Sequence, residues 1–339
     1  MTHQVYLVDR PVSFSVDEGE TLLAAGLRQH LALPFGCQSG GCGSCRVRLT
    51  AGEVEYPFAP AALSQGEIDA GYILMCLARA KSDLTIDLHQ PPQIEELRPR
   101  KLPSRVMYKR MLSHDVIQLM LKLPKGDNLR YLPGQYLDIL LEDGRRRSFS
   151  IANAPNAETL ELHLRIAPGG RFAKWVLEEM PEKAILRLEA PLGAFYIRED
   201  SQRPIVLMAG GTGFSPAKAM LEEILPKHSA RSVHLFWGGR AQDDLYMDAE
   251  VRAWAEQYPQ FRYTPVLTEP NADWQGETGF VHEAVLRAYP TLVEQELYLC
   301  GPPVMVQAGK RAFLAAGLDA DHLFYDSFDY AFETWPTLG

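Results

Sequence analysis

Three of the five cysteines in the 339-residue chain lie within ten residues, in the segment GCQSGGCGSC at 36–45. Their spacing is C-x4-C-x2-C, and a fourth cysteine, Cys76, follows after 30 intervening residues. Glycine tolerates positive φ and close approach of the backbone, so the segment is suited to a tight turn whose N–H groups point at a bound group. This pattern constrains the fold most, because a separate part of the chain must bring Cys76 to the same turn.

The cysteine spacing is the ligand pattern of a plant-type [2Fe–2S] cluster. Structural zinc is one alternative, although its usual pattern pairs two C-x2–4-C knuckles or adds histidine. The chain has no second knuckle, and neither His30 nor His89 is suitably spaced. Free thiols are the other alternative. We therefore predict four cluster ligands, Cys37, Cys42, Cys45 and Cys76.

The composition limits what the rest of the chain can be. A hydrophobic content of 46% is enough for two or three packed domains. Apolar runs such as PIVLMAGG are too short to span a membrane. The N-terminal residues lack a basic start followed by an apolar core, so we expect a cytoplasmic, reducing location. Clustered cysteines in that location bind metal more often than they form disulfides.

The charge is unevenly distributed along the chain. The net charge of −9 argues against general binding of nucleic acid. Residues 99–198 nevertheless carry 17 basic residues (Lys or Arg) and 11 acidic residues (Asp or Glu). Residues 199–339 carry 10 basic and 20 acidic residues. A phosphate site or an acidic partner would explain the basic segment. A solvated basic surface explains it equally well.

The order of sequence patterns indicates three domains. The first segment contains strand-like runs, one helix pattern and a second helix start at Ser64, which has capping-box spacing to Glu67. The middle segment alternates short strands with turns, which favours an antiparallel β-barrel, and the last alternates strands and helices, which favours a doubly wound parallel sheet. The predicted boundaries are a first domain at 1–90, a proline-rich linker at 91–100, a second domain at 101–200, a third at 201–330 and a tail at 331–339.

The cysteine pattern resembles that of plant-type ferredoxin domains. Over about residues 1–330, the chain resembles the multidomain NADH-dependent reductases that join such a domain to a ferredoxin–NADP reductase-like flavin and nicotinamide module. Members include reductase components of bacterial ring-hydroxylating oxygenases and phenol-type monooxygenases, and the CDP-6-deoxyglucoseen reductases. The resemblance implies a β-grasp ferredoxin domain, a β-barrel that binds FAD and a parallel-sheet domain that binds NAD(H).

The segment RRSFSIAN resembles the family's Arg-x-Tyr-Ser flavin motif. The resemblance implies that Arg147 pairs with a flavin phosphate and that Ser150 lies near the flavin N5 atom. Phe149 replaces the tyrosine, so it can stack but cannot donate a hydrogen bond. A core position for Phe149 and a surface position for Arg147 are the alternative.

The segment HLRIAPGGRFAKW resembles the family's second flavin stretch, which cradles the diphosphate. Ala173 stands where serine or threonine is expected, so one phosphate hydrogen bond is missing and a freely exchanging flavin stays possible. The candidate residues in this stretch are His163, Arg165, Gly169, Gly170 and Arg171.

The segment PIVLMAGGTGFSPAKAM is a strand, a glycine-rich turn and a helix, which is the context required of a dinucleotide site. The pattern predicts Ser215 at the N-cap and Pro216 at N1, so that the positive end of the helix faces the phosphates. The candidate cofactor-binding residues here are Gly210, Gly211, Thr212, Gly213 and Ser215.

Two later segments complete the candidate site. LYLCGPPVM resembles the family's Cys-Gly-x-Pro motif beside the nicotinamide, which implies roles for Cys300, Gly301 and Pro302. FYDSF resembles the C-terminal acid-x-aromatic element, with Asp326 near the hydride-transfer site and Phe328 over the flavin. For Cys300, the alternative is a buried cysteine with a structural role only. For FYDSF, the alternative is a simple alternation of core and surface residues. The candidate catalytic residues are Ser150, Cys300 and Asp326.

The resemblance implies an order of electron flow from NADH to FAD, then to the cluster and to a separate protein acceptor. NADH gives up two electrons as hydride, the cluster accepts one, and flavin can mediate between them. Arg240 in FWGGRAQDDLY stands where it could contact a 2′-phosphate, or it could pair with Asp243 or Asp244. The nearby acidic residues disfavour a 2′-phosphate and the family resemblance implies NADH, so we prefer NADH over NADPH. The expected acceptor is the oxygenase component of an aromatic-ring oxygenase. The alternatives are a CDP-6-deoxyhexulose dehydrase and a flavin or ferric reductase activity with exchangeable flavin.

Overall fold

The computed structural model describes most of the chain. The described residues are 2–8, 11–29, 31, 33–36, 38–41, 43–88, 97–127, 129–155, 158–167, 169–227 and 231–328. Cys37, Cys42, residues 91–96 of the predicted linker and the predicted tail at 331–339 lie outside them. The described residues form a first domain, a barrel domain and a parallel-sheet domain, in the predicted order.

The first domain is a five-stranded sheet with the order β2-β1-β7-β3-β5, in which β1 and β7 are parallel and the other pairs are antiparallel. Helix α1 packs on the sheet through Leu22, Leu23 and Ala25. Ser64 and Glu67 form the predicted capping box at the start of α2. The elements are β1 His3–Leu7, β2 Ser13–Val16, α1 Leu22–Arg28, β3 Arg46–Ala51, β4 Val54–Glu55, α2 Gln65–Asp69, β5 Tyr72–Leu74, β6 Arg79–Ala80 and β7 Leu84–Asp87.

The barrel domain is a six-stranded antiparallel sheet with the order β11-β10-β13-β8-β9-β12. A bridge between Ile151 and Leu162 joins the two edges. Helix α3 closes the barrel by burying Phe172, Ala173 and Val176 in its core. The elements are β8 Arg100–Met111, β9 Val116–Lys122, β10 Tyr136–Leu140, β11 Arg146–Ser150, β12 Thr159–Arg165, α3 Arg171–Glu178 and β13 Ile185–Leu192.

The parallel-sheet domain has six parallel strands in the order β17-β16-β15-β14-β18-β19. Consecutive strands run outward from β14 in both directions, so the carboxyl end of β14 is the topological switch point where such sheets bind ligands. The elements are β14 Ile205–Gly210, α4 Phe214–Ile224, β15 Val233–Gly239, α5 Asp248–Gln257, β16 Phe261–Leu267, β17 Glu277–Thr278, α6 Val281–Ala288, β18 Glu296–Gly301, α7 Pro303–Ala315 and β19 Leu323–Ser327.

The predicted N-cap of the helix after β14 is wrong. A 3₁₀ turn at Gly211–Gly213 runs directly into α4, so the N-cap is Gly213 and Ser215 lies inside the first turn. The Ser215 hydroxyl instead donates a hydrogen bond to the carbonyl oxygen of Ser150 in the barrel domain, at 3.1 Å. Sequence rules for capping consider only neighbouring residues, whereas the Ser215 hydroxyl forms a hydrogen bond between two domains.

None of the described helices has both the length and the apolar character needed to cross a bilayer. The longest described helix, α7, has 13 residues.

We predict that His234 makes the parallel-sheet domain less stable in acid. Its ring on β15 hydrogen-bonds Tyr289 and Thr264 at 2.9 and 2.8 Å, and burial, with a contribution from Arg262, lowers its pKa to about 4. The unfolded chain takes up this proton below about pH 6.5, whereas the folded chain does so only near pH 4. Stability should therefore fall by roughly 3 kcal/mol across that window.

Urea unfolding between pH 7 and pH 4 checks this prediction. The His234→Gln variant should show a shallower dependence of unfolding free energy on pH than wild type. The matched control is His114→Gln, whose imidazole is mostly exposed. Equal slopes for wild type and His234→Gln would contradict the assignment.

Candidate functional site

A cavity of about 220 Å³ lies where the three domains meet. Its walls come from the first domain, the barrel domain and the parallel-sheet domain. Eight of the predicted cofactor-binding or catalytic residues line it. The lining residues are Gly36, Ser44, Tyr136, Ser148, Phe149, Ser150, His163, Arg165, Thr212, Ser215, Asp326, Ser327 and Phe328.

The barrel wall of this cavity combines aromatic and polar groups. Phe149 on β11 packs against Phe172 of α3 with ring centroids 5.6 Å apart, which fixes the orientation of its ring. Tyr136 on β10 pairs in register with Ser150, which is buried at the end of β11. An aromatic wall with hydroxyl groups at its edge suits a flat ring system that carries polar atoms, as a flavin does.

A buried polar network supports this wall from behind. The imidazole of His163 hydrogen-bonds the Glu161 carboxylate at 2.9 Å and the Tyr246 hydroxyl at 3.0 Å. The Lys218 ammonium lies 3.1 Å from the other oxygen of Glu161. Because Tyr246 and Lys218 belong to the parallel-sheet domain, the network fixes the barrel domain against it.

The charges in this network compensate one another. Burial alone would raise the pKa of Glu161, but His163 and Lys218 outweigh burial and hold this pKa at about 2. Burial lowers the pKa of His163. Its ring is therefore neutral near pH 7 and is held by one hydrogen bond on each nitrogen.

Arg165 lies at the edge of the cavity and is held by Asp115, separately from the network around His163. Its Nε and Nη2 atoms both lie 2.8 Å from one carboxylate oxygen of Asp115. A Cβ atom at Gly211 would lie 2.7 Å from its Nη1 atom, so the glycine allows the guanidinium to approach the turn after β14. Asp115 thus orients Arg165 and neutralises part of its charge.

The structure does not bring every predicted flavin residue to the cavity. Arg147 is not among the lining residues, and its Nη1 atom donates to the carbonyl oxygen of Arg146 at 2.9 Å. Gly169, Gly170 and Arg171 form the start of α3, with Gly170 at the N-cap and a φ of 78° at Gly169. Their roles toward a diphosphate stay predictions.

The glycine-rich turn after β14 packs against the end of β18. A Cβ atom at Gly213 would collide with the carbonyl group of Cys300, at 2.6 Å from its carbon. The Cys300 thiol donates a hydrogen bond to the Gly213 carbonyl oxygen at 2.9 Å, and burial raises its pKa well above the ordinary value. Cys300 is therefore a neutral thiol that holds the turn at the switch point.

Neighbouring residues complete the shape of this turn. Trp237 donates its indole N–H to the Gly211 carbonyl oxygen at 3.0 Å and stacks on Phe214 at 4.0 Å. Gly301, with a φ of 137°, passes so close to the backbone of Gly210 that a Cβ atom would lie 2.8 Å from its carbonyl oxygen. The remaining predicted residue, Pro302, is the N-cap of α7. Glycines at these positions allow the two backbones to approach closely at the switch point, as a dinucleotide site requires.

The cysteine segment has the geometry of a ligand loop. Gln38, Gly40 and Gly43 have φ values of 55°, 81° and 75°. Cys45 and Cys76 are buried, and the Met75 N–H donates to the Cys45 carbonyl oxygen at 3.1 Å, so the two segments adjoin. A metal cluster fits these residues, because the segments of Cys45 and Cys76 adjoin beside a loop that contains left-handed residues.

The cluster loop also touches the parallel-sheet domain. A Cβ atom at Gly43 would lie 2.6 Å from the Cζ atom of Tyr325 on β19, so the loop packs directly on that ring. Ser44, which follows Gly43, and Asp326, which follows Tyr325, both line the cavity. The candidate cluster site and the candidate flavin site therefore share a wall.

Comparison with known proteins agrees with this architecture. Three family models match in order: a 2Fe-2S iron-sulfur cluster binding domain at 5–81, an oxidoreductase FAD-binding domain at 103–197 and an oxidoreductase NAD-binding domain at 207–311. The chain is 36% identical over 329 residues to the CDP-6-deoxy-L-threo-D-glycero-4-hexulose-3-dehydrase reductase of Yersinia pestis, covering 97% of this chain and 99% of that one. The chain belongs to the iron–sulfur flavoprotein reductases.

Two further similarities extend across the whole reductase. It is 32% identical over 333 residues to reductase component 1 of the terephthalate 1,2-dioxygenase of Comamonas sp., covering 97% of this chain and 98% of that one. The crystal structure of the Amycolatopsis cytochrome P450 reductase GcoB matches with a TM-score of 0.72 and 30% identity, covering 96% of this chain and 98% of that one.

The comparisons confirm the predicted fold class and cofactors. The reductase is an oxidoreductase with a [2Fe–2S] ferredoxin domain, an FAD-binding barrel and an NAD-binding parallel-sheet domain. The zinc alternative for the cysteine loop is therefore wrong. Sequence patterns missed Glu161, Lys218, Tyr246 and Asp115, which position the predicted residues. The only local signals for them were the i, i+2 spacing of Glu161 and His163 and the i, i+4 spacing of Lys218 and Glu222.

Proposed function

We propose that this reductase draws electrons from NADH and delivers them singly to the oxygenase component of a multicomponent aromatic-ring oxygenase. The observation that supports the proposal most is the shared wall between the cysteine loop and the three-domain cavity. When bound, FAD supplies the step between two-electron hydride transfer and single-electron transfer. The terephthalate 1,2-dioxygenase component, similar over the whole chain, supports an oxygenase as acceptor.

The chain's own residues position the reactants in this proposal. All four of Phe149, Phe328, Ser150 and Asp326 line the cavity. In our proposal the two aromatic rings would enclose the flavin, and the Ser150 hydroxyl and the Asp326 carboxyl would serve the hydride-transfer side. Cys300 acts through its hydrogen bond to Gly213, which holds the nicotinamide turn. Enclosure by three domains keeps water away from the reacting edge.

We propose NADH as the physiological donor. The buried Asp244 accepts hydrogen bonds from the backbone N–H groups of Arg240 and Ala241, at 2.8 and 3.1 Å, in the loop after β15. This carboxylate disfavours a 2′-phosphate nearby. We expect kcat/KM for NADH to exceed that for NADPH by at least about tenfold. An Arg240→Ala control should keep this preference, and equal values for the two nucleotides in wild type would contradict it.

A CDP-6-deoxyhexulose dehydrase is a second candidate acceptor. The 36% identity to the Yersinia pestis reductase over 97% of this chain favours it. The test is to reduce the protein anaerobically with NADH and to follow its reoxidation by an aromatic-ring oxygenase component or by the dehydrase, in separate stopped-flow experiments. Fast reoxidation by the oxygenase alone supports our proposal. Fast reoxidation by the dehydrase alone overturns the oxygenase assignment.

Flavin or ferric reduction is the remaining alternative from the sequence. The Ala173 side chain packs in the barrel core, and the cavity has walls from three domains. These features favour a fixed cofactor, so we expect FAD to stay bound during desalting. Flavin that leaves with the small molecules would favour a flavin substrate.

We propose a reducing, cytoplasmic location. A [2Fe–2S] cluster needs its cysteines as reduced thiolates, and a reducing compartment supplies that condition.

A further inference from the structure

Three charged side chains lie between the first domain and the parallel-sheet domain, two of them buried and the third, that of Arg46, 10% exposed. Arg46 on β3 and Glu67 on α2 belong to the first domain, and Lys310 on α7 belongs to the parallel-sheet domain. Arg46 Nη1 lies 2.9 Å from one Glu67 oxygen, and Lys310 Nζ lies 3.0 Å from the other. The side chains of Glu67 and Lys310 are 0% and 1% exposed. We call these three residues the interdomain triad.

Each cation of the interdomain triad also bonds to the opposite domain. Arg46 donates to the carbonyl oxygens of Leu323 and Ala320, at 2.6 and 3.2 Å. Lys310 donates to the carbonyl oxygen of Ala62 at 2.7 Å. The contact therefore has fixed direction and register, which a surface attraction between opposite charges would not provide.

Tyr325 on β19 joins the interdomain triad to the cluster loop. Its hydroxyl donates to the Ala62 carbonyl oxygen at 3.0 Å, and Lys310 Nζ lies 3.8 Å from its ring centroid. The same ring packs on Gly43 of the loop. Because Asp326 follows in the cavity wall, one strand contacts both the cluster loop and the flavin cavity.

Glu67 carries the negative charge that its contacts with the two cations of the interdomain triad require. Burial alone would raise the pKa of Glu67, but Lys310 and Arg46 outweigh burial and lower it. The carboxylate is therefore ionised at neutral pH and can hold both cations. Buried ion pairs add little to stability on balance, and their best-attested benefit is a unique geometry.

We propose that Arg46, Glu67 and Lys310 are positioning residues that hold the cluster loop against the flavin cavity and thereby set the rate of electron transfer from flavin to cluster. The proposal rests on the proposed function, because it assumes that electrons pass from the barrel domain to the first domain. Electron transfer slows steeply as the distance between centres grows. A small displacement of the first domain is therefore enough to lower the rate.

Lys310→Met is the decisive variant, because it removes the bonds to Glu67 and Ala62 and leaves the Arg46–Glu67 pair within the first domain. NADH-driven dye reduction reports on the flavin, cytochrome c reduction reports on the cluster, and the paramagnetic signal after dithionite reports on cluster content. We expect cytochrome c reduction to fall by at least about tenfold, while dye reduction stays within about twofold of wild type. The cluster signal should be unchanged.

Three further variants make the test specific. Lys310→Arg keeps a cation and should recover most of the cytochrome c reduction. Lys227→Met removes a half-exposed lysine whose ion pairs are with Glu223 and Glu199, and it should match wild type. Tyr325→Phe removes one hydroxyl and keeps the packing, so it should fold and show a smaller loss confined to cytochrome c reduction.

Two outcomes would overturn the proposal. One is unchanged cytochrome c reduction in both Lys310→Met and Tyr325→Phe. The other is an equal loss of both activities, which would indicate a structural role only. Failure of the proposed function looks different, because wild type itself would then transfer no electrons from NADH to cytochrome c.

Discussion

Replacing Cys76 by serine should remove the iron–sulfur centre and leave the flavin chemistry intact. Cys76 is buried in the core of the first domain and arrives from a segment separate from the cysteine loop. A serine hydroxyl is a much poorer ligand for iron than a thiolate. We expect cytochrome c reduction to fall by at least about a hundredfold, while NADH-driven dye reduction stays within about twofold of wild type.

A matched Cys300→Ser variant controls for the loss of a buried thiol. It makes the same chemical change in the parallel-sheet domain, so the cluster signal after dithionite should persist. Equal loss of dye and cytochrome c reduction in Cys76→Ser would contradict a modular chain of electron carriers.

Replacing Gly213 by alanine should block the opposite end of the electron path. The added Cβ atom would meet the backbone of Cys300 and lie 2.9 Å from the Cα atom of Gly301. Backbone atoms at the end of a buried strand cannot rotate away, so the turn must shift by a few tenths of an ångström or more. We expect reduction of the flavin by NADH to slow by about a hundredfold, with dithionite still reducing both centres.

The control for this variant is Gly66→Ala, since nothing lies within 4 Å of a Cβ atom at that position. Thermal unfolding of both variants separates loss of nucleotide binding from loss of fold. A Gly213→Ala protein that bleaches with NADH at the wild-type rate would remove this turn from the candidate site.

The sequence was most informative where chemistry is local. Three patterns depend on residues close in the chain: the C-x4-C-x2-C spacing, the Ser64–Glu67 capping box, and the strand, turn and helix formed by β14 and α4. The structure contains the capping box and the strand–turn–helix unit as predicted. The prediction for Ser215 was wrong because its hydroxyl bonds to Ser150, in a different domain.

Contacts between domains could not be predicted from patterns. Glu161, Lys218, Glu67 and Lys310 are buried charges, whereas hydrophobic periodicity assigns charged residues to the surface. The partners that join one domain to another, such as Lys218 for Glu161 and Lys310 for Glu67, are far apart in the chain, and only the packed domains bring them together. The structure likewise leaves Arg147 outside the cavity lining, although its motif places it next to Phe149 and Ser150.

The most direct test of electron flow through the three domains is an anaerobic titration with NADH, followed by low-temperature electron paramagnetic resonance. We expect NADH alone to bleach the flavin and to produce the rhombic signal of a reduced two-iron centre. A flavin that bleaches while the cluster stays silent, in protein whose cluster responds to dithionite, would contradict that flow.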